Sequence, residues 1–150
     1  MLSQQEISDR FEIQDLVFHY ADLVDSKNIK ALRETVFTDD AHIDYSAMGG
    51  SVGNVDETLE FLQASLTNEL FPASQHLNAN VQVHLDGDTA TGRVMCFNPM
   101  QTENDKVFFL GMWYLDQYIK IDDRWFISSR VEQSSWSHNV PSSVNTKSKK

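Results

Sequence analysis

Apolar residues recur at three- and four-residue spacing near the start of the chain, where Ile13, Leu16, Val17, Tyr20, Leu23 and Val24 fall on one stripe between polar positions. That period predicts an amphipathic helix from Ser3 to about Asp25. After Ser26-Lys27-Asn28, the run Ile29 to Phe37 reads as a second, short helix with Ser26 or Asn28 as its N-cap. From Ala41 the period becomes two: Ala41, Ile43 and Tyr45 share one face and His42 and Asp44 the other, which marks a strand. Gly49, Gly50 and Gly53 form a loop, and Val55 to about Leu70 is helical again, with Pro72 as its stop.

The remainder reads as β-sheet. A strand from about Gln75 to Leu85 meets the hairpin signal Asp86-Gly87-Asp88 and returns from Thr89 to about Asn98. A polar loop around Thr102 to Asp105 leads to a long strand, Val107 to Lys120, apolar on both faces and therefore central. Ile121-Asp122-Asp123 turns into a last strand, Arg124 to about Glu132, and a polar stretch ends the chain. Helices that precede a meander of hairpin-linked strands argue for an α+β domain with the helices on one face of an antiparallel sheet.

At 150 residues the chain has the size of one domain. Its 22 acidic against 12 basic residues leave a formal charge of −10, the wrong sign for a phosphate backbone, so nucleic acid is not an expected partner. No apolar run approaches membrane-spanning length, and no basic-then-apolar start resembles a signal peptide. With one cysteine, Cys96, read as a packing residue, the expectation is a soluble cytoplasmic protein. The two apolar faces of the long strand further suggest a homodimer or homotrimer.

No glycine pattern suits a dinucleotide or a P-loop, the serines lack a nucleophile-elbow context, and His19, His42, His76, His84 and His138 lack zinc-motif spacing. No metal or cofactor is therefore expected. What remains is a set of titratable and aromatic residues that only a fold can bring together.

Several segments carry a more specific likeness: Ile13-Gln14-Asp15-Leu16, Tyr20, Val24-Asp25-Ser26-Lys27, Ile43-Asp44-Tyr45, Gln75-His76 and Ile121-Asp122-Asp123-Arg124-Trp125-Phe126. With the element order, they resemble the SnoaL-like branch of the nuclear transport factor 2-like superfamily, which includes scytalone dehydratase, bile-acid 7α-dehydratase and the lindane dehydrochlorinase. The resemblance implies a cystatin-like cone: a strongly curved sheet with three helices on its concave side, a SnoaL-like domain over 1–136, and a tail over 137–150 that is disordered or packed on a neighbouring subunit. It also implies a dyad in which Asp25 orients His76. Tyr20 and Tyr45 match site tyrosines of the family, and Arg130 falls where the dehydrochlorinase has a pocket arginine. Met100 takes the place of a second catalytic histidine of scytalone dehydratase, and Tyr114 lies near the place of its pocket asparagine. Asn78 shares a strand face with His76, and Trp113, like Trp125 and Phe109, reads as core or pocket wall.

Each residue also has a plainer reading. Asp25 at a helix C-terminus opposes the macrodipole and needs compensation, but it equally suits a cap or a solvated turn. Tyr20 and Tyr45 both lie on apolar faces and suit core packing, and Arg130 suits a surface ion pair with Glu132. His19, His42 and His138 read as surface or interface residues.

Taken as a site, the set implies proton abstraction. Imidazole titrates near neutrality, and an adjacent carboxylate fixes its tautomer and favours the imidazolium formed on accepting a proton. The expected activity is that of a cofactor-independent lyase or isomerase acting on a small or medium apolar carbonyl compound, with dehydratase-like elimination favoured. The alternatives are a non-catalytic pocket or interaction domain and the small subunit of a ring-hydroxylating oxygenase.

Overall fold

The computed structural model describes residues 1–144. Helix α1 (Gln4–Asp25) opens with a capping box, in which the Ser3 hydroxyl accepts from the Glu6 N–H at 3.2 Å and the Glu6 carboxylate accepts from the Ser3 N–H at 2.7 Å. Its apolar stripe buries Ile13, Leu16, Val17, Tyr20, Leu23 and Val24. Helix α2 (Ala31–Thr35) is shorter than the sequence pattern suggests, because Val36 and Phe37 leave the helix for strand β1 (Phe37–Asp44). A 3-10 turn (Ser46–Met48) and the short strand β2 (Val52–Gly53) precede helix α3 (Val55–Ser65), whose capping box joins Asn54 to Glu57. This helix stops at Ser65 rather than running to Leu70. The Leu66 backbone leaves the helical region, and the Thr67 hydroxyl accepts from the Leu70 N–H to start a separate turn.

The strands are β3 (Ala73–Ser74), β4 (Leu77–Asp86), β5 (Thr89–Gln101), β6 (Val107–Ile121) and β7 (Arg124–His138). They form one sheet in the order β2-β1-β7-β6-β5, with β3 and β4 arrayed along the free edge of β5. The meander is antiparallel throughout, and β1 joins it parallel to β7. The sheet curls into a half-barrel with the helices inside, an α+β cone. β7 runs past Glu132 to His138, so position 136 falls within it; the expected tail ends at 145–150, outside the described residues.

The β6 pattern shows how the cone fills. Phe108, Leu110, Met112, Tyr114, Asp116 and Tyr118 are buried on the concave side, while Val107, Leu115 and Ile121 are exposed on the convex one. Two devices fix α1 against this wall. Asp9, buried on the helix, accepts from Trp125 Nε1 at 3.0 Å and from Lys120 Nζ at 2.6 Å. Arg10 donates to the Val83 carbonyl at 2.8 Å.

β4 carries a bulge between Ala79 and Gln82, with Asn80 at φ 48°. One extra residue switches the faces, so that Asn78 points inward before the bulge and Val83 after it. The polar alternation from His76 to His84 therefore does not make one continuous face, and His84 is exposed.

Candidate functional site

Between the helices and the concave sheet lies a cavity of about 370 Å³, within the range of small-molecule sites. Leu62, Phe71, Phe108, Leu110 and Met112 make its walls largely apolar. Gly50 lies on its rim, where a Cβ would stand 2.6 Å from Tyr45 Cβ, so only glycine lets the loop close against that tyrosine.

His76 enters this cavity from a break in the sheet. β3 ends at Ser74 and β4 begins at Leu77; between them the Gln75 N–H still donates to the Pro99 carbonyl of β5 at 3.1 Å, so the His76 N–H, next in the alternation, faces away from β5. The His76 backbone N–H is thereby free to donate to Asp25 Oδ2, at 2.7 Å. The ring Nδ1 lies 2.7 Å from Asp25 Oδ1, which also accepts from the Ser74 hydroxyl at 2.9 Å. Asp25 thus gathers three donors at the end of α1, which supplies the compensation that its position against the helix dipole requires. Lys27 Nζ completes the cluster by donating to Ser74 Oγ at 3.2 Å.

Half-burial raises the Asp25 pKa, but the His76 ring, its positive form, the His76 N–H and Ser74 together outweigh burial and hold the carboxyl below the usual range. An ionised Asp25 accepts the Nδ1 proton and leaves Nε2 as the basic nitrogen. Nε2 accepts from Asn98 Nδ2 at 3.1 Å, and both His76 and Asn98 line the cavity.

The Tyr20 and Tyr45 hydroxyls meet at 2.8 Å in the cavity wall. Burial pushes Tyr20 up to about 12, against the pull of Arg130 and of the Tyr45 bond, and burial likewise raises Tyr45. Both are therefore neutral donors at physiological pH, and because one hydroxyl donates to the other, one O–H remains to point at a ligand.

This chain matches the SnoaL-like domain family over residues 5–131. It belongs to that family. An uncharacterized protein of Mycobacterium tuberculosis, Rv2910c, is 45% identical over 134 residues, spanning 88% of this chain and 89% of its own. Kfla4162 from Kribbella flavida superposes with a TM-score of 0.79 at 25% identity, over 88% of this chain and 94% of that one. Hexachlorocyclohexane dehydrochlorinase LinA-type3 from Novosphingobium barchaimii gives a TM-score of 0.75 at 18% identity, over 90% and 96% of the two chains. At that identity the likeness is one of fold.

The SnoaL-like domain brings Tyr20, Tyr45, His76, Met100 and Tyr114 to the cavity wall, with Asp25 behind His76. Three expected ligand contacts lie elsewhere. Trp113 points to the convex side, one residue out of phase with Met112 and Tyr114, and lies under the Arg93 guanidinium at 3.4 Å. Asn78 is inward but spends its Nδ2 on the Val17 carbonyl at 3.0 Å, tying β4 to α1. Arg130 is wholly buried beneath the tyrosines, 4.3 Å from the Tyr20 ring and 4.1 Å from that of Tyr114. Its partner is Asp116 rather than Glu132, through Nε at 2.8 Å and Nη2 at 2.7 Å, and Tyr118 donates to the same carboxylate at 2.8 Å.

Four residues of the site and its support were not legible in the sequence: Asn98, Ser74, Asp116 and Glu132. Asn98 had a signal, as the polar member of the otherwise apolar inward set Val94, Cys96, Asn98 and Met100. Cys96 is buried and free, with its thiol pushed up to about 12 by burial. His19, His42 and His138 are exposed. Among the described residues no three His, Cys, Asp or Glu side chains converge as a metal site, and no helix is long and apolar enough to cross a membrane.

Proposed function

We propose that this SnoaL-like domain is a lyase or isomerase whose Asp25–His76 dyad removes a proton from carbon next to a carbonyl in a small or medium apolar substrate, without a cofactor. The observation that carries the reading is the 2.7 Å contact between His76 Nδ1 and Asp25 Oδ1, with the opposite ring nitrogen at an apolar cavity. The substrate displaces the Asn98 amide from His76 Nε2, which then accepts the C–H proton; Asp25 stabilises the imidazolium, and the Tyr20–Tyr45 pair donates to the carbonyl oxygen as it gains charge. With a leaving group on the adjacent carbon the result is elimination; without one, a double-bond shift. The dehydrochlorinase neighbour is by its name an eliminating enzyme, and that favours elimination here.

The same reading includes a homodimer or homotrimer in which a second copy covers the convex sheet face. Phe97 stacks on Phe109 at 5.6 Å and on Trp136 at 5.8 Å there, and Trp136 is 51% exposed.

The test is deuterium exchange at the α-carbon of 2-tetralone, followed by NMR in heavy water, together with dehydration of a panel of β-hydroxy ketones. Exchange by the wild type that is lost in His76→Ala supports the reading. Equal rates in both proteins leave a non-catalytic pocket as the better account.

A further inference from the structure

Glu132 is a cavity-lining carboxyl that the dyad mechanism leaves unused. It stands on the concave face of β7, two residues beyond Arg130 and opposite Tyr114 of β6. Its Oε2 is shut off from solvent and has no hydrogen-bond partner among the described residues. A buried carboxyl oxygen without a partner costs about 1–3 kcal/mol, a cost that a ligand hydrogen bond would offset.

The groups around it decide which ligand atom suits it. Tyr20 of α1, Tyr114 of β6 and Cys96 of β5 lie within electrostatic range of it; Asp44 and Tyr45 lie at the end of β1, Arg130 is on its own strand, and His76 lines the same cavity. Arg130 is the cation of this set, and Asp116 already holds it through two hydrogen bonds. Burial raises the Glu132 pKa, Arg130 lowers it and Asp44 raises it, to a balance of about 8. A carboxyl that is neutral at pH 7 carries an O–H, and beside the Tyr20–Tyr45 pair it makes a second donor in one stretch of wall.

We propose that Glu132 is a catalytic residue that donates a hydrogen bond, next to the Tyr20–Tyr45 pair, to the substrate carbonyl oxygen as it becomes an enolate. The proposal rests on the reading of His76 as the base. In the step, the C–H bond breaks and its proton forms an N–H bond at His76 Nε2. The C–H electron pair becomes the C=C bond of the enolate, and the carbonyl π pair moves to oxygen. Glu132 keeps its proton and shares it. The substrate class narrows accordingly: the activating group is a ketone or aldehyde oxygen, because Asp116 already holds Arg130 and no lysine or arginine among the described residues lines the cavity to pair with a carboxylate.

The probe is 2-acetylnaphthalene, whose carbonyl oxygen only accepts hydrogen bonds, with binding measured by quenching of tryptophan fluorescence from about pH 6 to about pH 9. In the wild type, affinity should be level below about pH 7 and fall by roughly tenfold above pH 8, as the donor ionises. Glu132→Gln retains an N–H donor and should bind without that fall. A wild-type affinity that does not change with pH, or a Glu132→Gln profile with the same fall, overturns the proposal. A neutral-carboxyl infrared band at pH 7 that disappears in Glu132→Gln supports it, and a wild type without that band overturns it. Loss of 2-tetralone exchange in His76→Ala reads the base separately, so failure of either assignment is visible alone.

Discussion

Asp25 holds His76 twice, through the ring Nδ1 and through the backbone N–H, both at 2.7 Å. The ring contact fixes the tautomer, and the backbone contact fixes where the residue that carries the ring stands. Strand alternation makes the backbone contact possible: the Gln75 N–H bonds the Pro99 carbonyl of β5, so the N–H of the next residue, His76, faces away from β5 and toward Asp25.

If the pair acts as one unit, Asp25→Asn and His76→Ala should each lower exchange by roughly 10²- to 10⁴-fold, and the double variant should be little worse than His76→Ala alone. Multiplying losses in the double variant would refute joint action. Stability gives an independent check. A carboxyl held below its ordinary value of 3.8 stabilises the fold above that value, and the contribution is lost as pH falls through the folded-state value. The stability gap between wild type and Asp25→Asn should therefore close on acidification below about pH 4, measured by urea unfolding.

Arg130 and Asp116 are both without solvent exposure and are joined by two hydrogen bonds. Removing one partner strands the other charge, so Arg130→Ala should cost about 3–5 kcal/mol. The double change Arg130→Met with Asp116→Leu should recover most of that loss, since it removes both charges. Equal instability in the single and double variants would show that Arg130 acts by its packing between Tyr20 and Tyr114 instead.

The convex-face stack of Phe97, Phe109 and Trp136 should mark the contact between subunits. Sedimentation at micromolar concentration is expected to show a dimer or trimer that Trp136→Glu shifts toward monomer. A wild-type monomer under those conditions would count against the assembly.

Regular periodicity made most of the fold legible. The α1 stripe and the hairpin at Asp86-Gly87-Asp88 stand where the sequence placed them, and the likeness at Asp25 and His76 pointed to two residues that the structure does join. Phase is what strict alternation could not supply. The bulge at Asn80 reverses which β4 residues face inward, and β6, apolar on both sides, gave no sign that Tyr114 is inside and Trp113 outside. Pairing across distant elements was equally hidden. Arg130 stood close in sequence to Glu132, yet it pairs with Asp116 of the neighbouring strand, and that choice leaves Glu132 Oε2 without a hydrogen-bond partner among the described residues.

That arrangement fixes the pH dependence of stability. Between the ordinary value of 4.5 and the folded value of about 8, the native state keeps a Glu132 proton that the unfolded chain has released. Bound protons then favour the native state less as pH rises, so Glu132 lowers stability by up to about 1.4 kcal/mol per pH unit across that window and by no more above it. Glu132→Gln has no such proton to lose. Its unfolding free energy should match the wild type near pH 4.5 and exceed it by a growing margin toward pH 8, where the gap levels off. Urea titrations of both proteins at half-unit intervals measure the margin directly. Curves that stay parallel across the window would mean that Glu132 is ionised in the folded protein, and it could then donate nothing to an enolate.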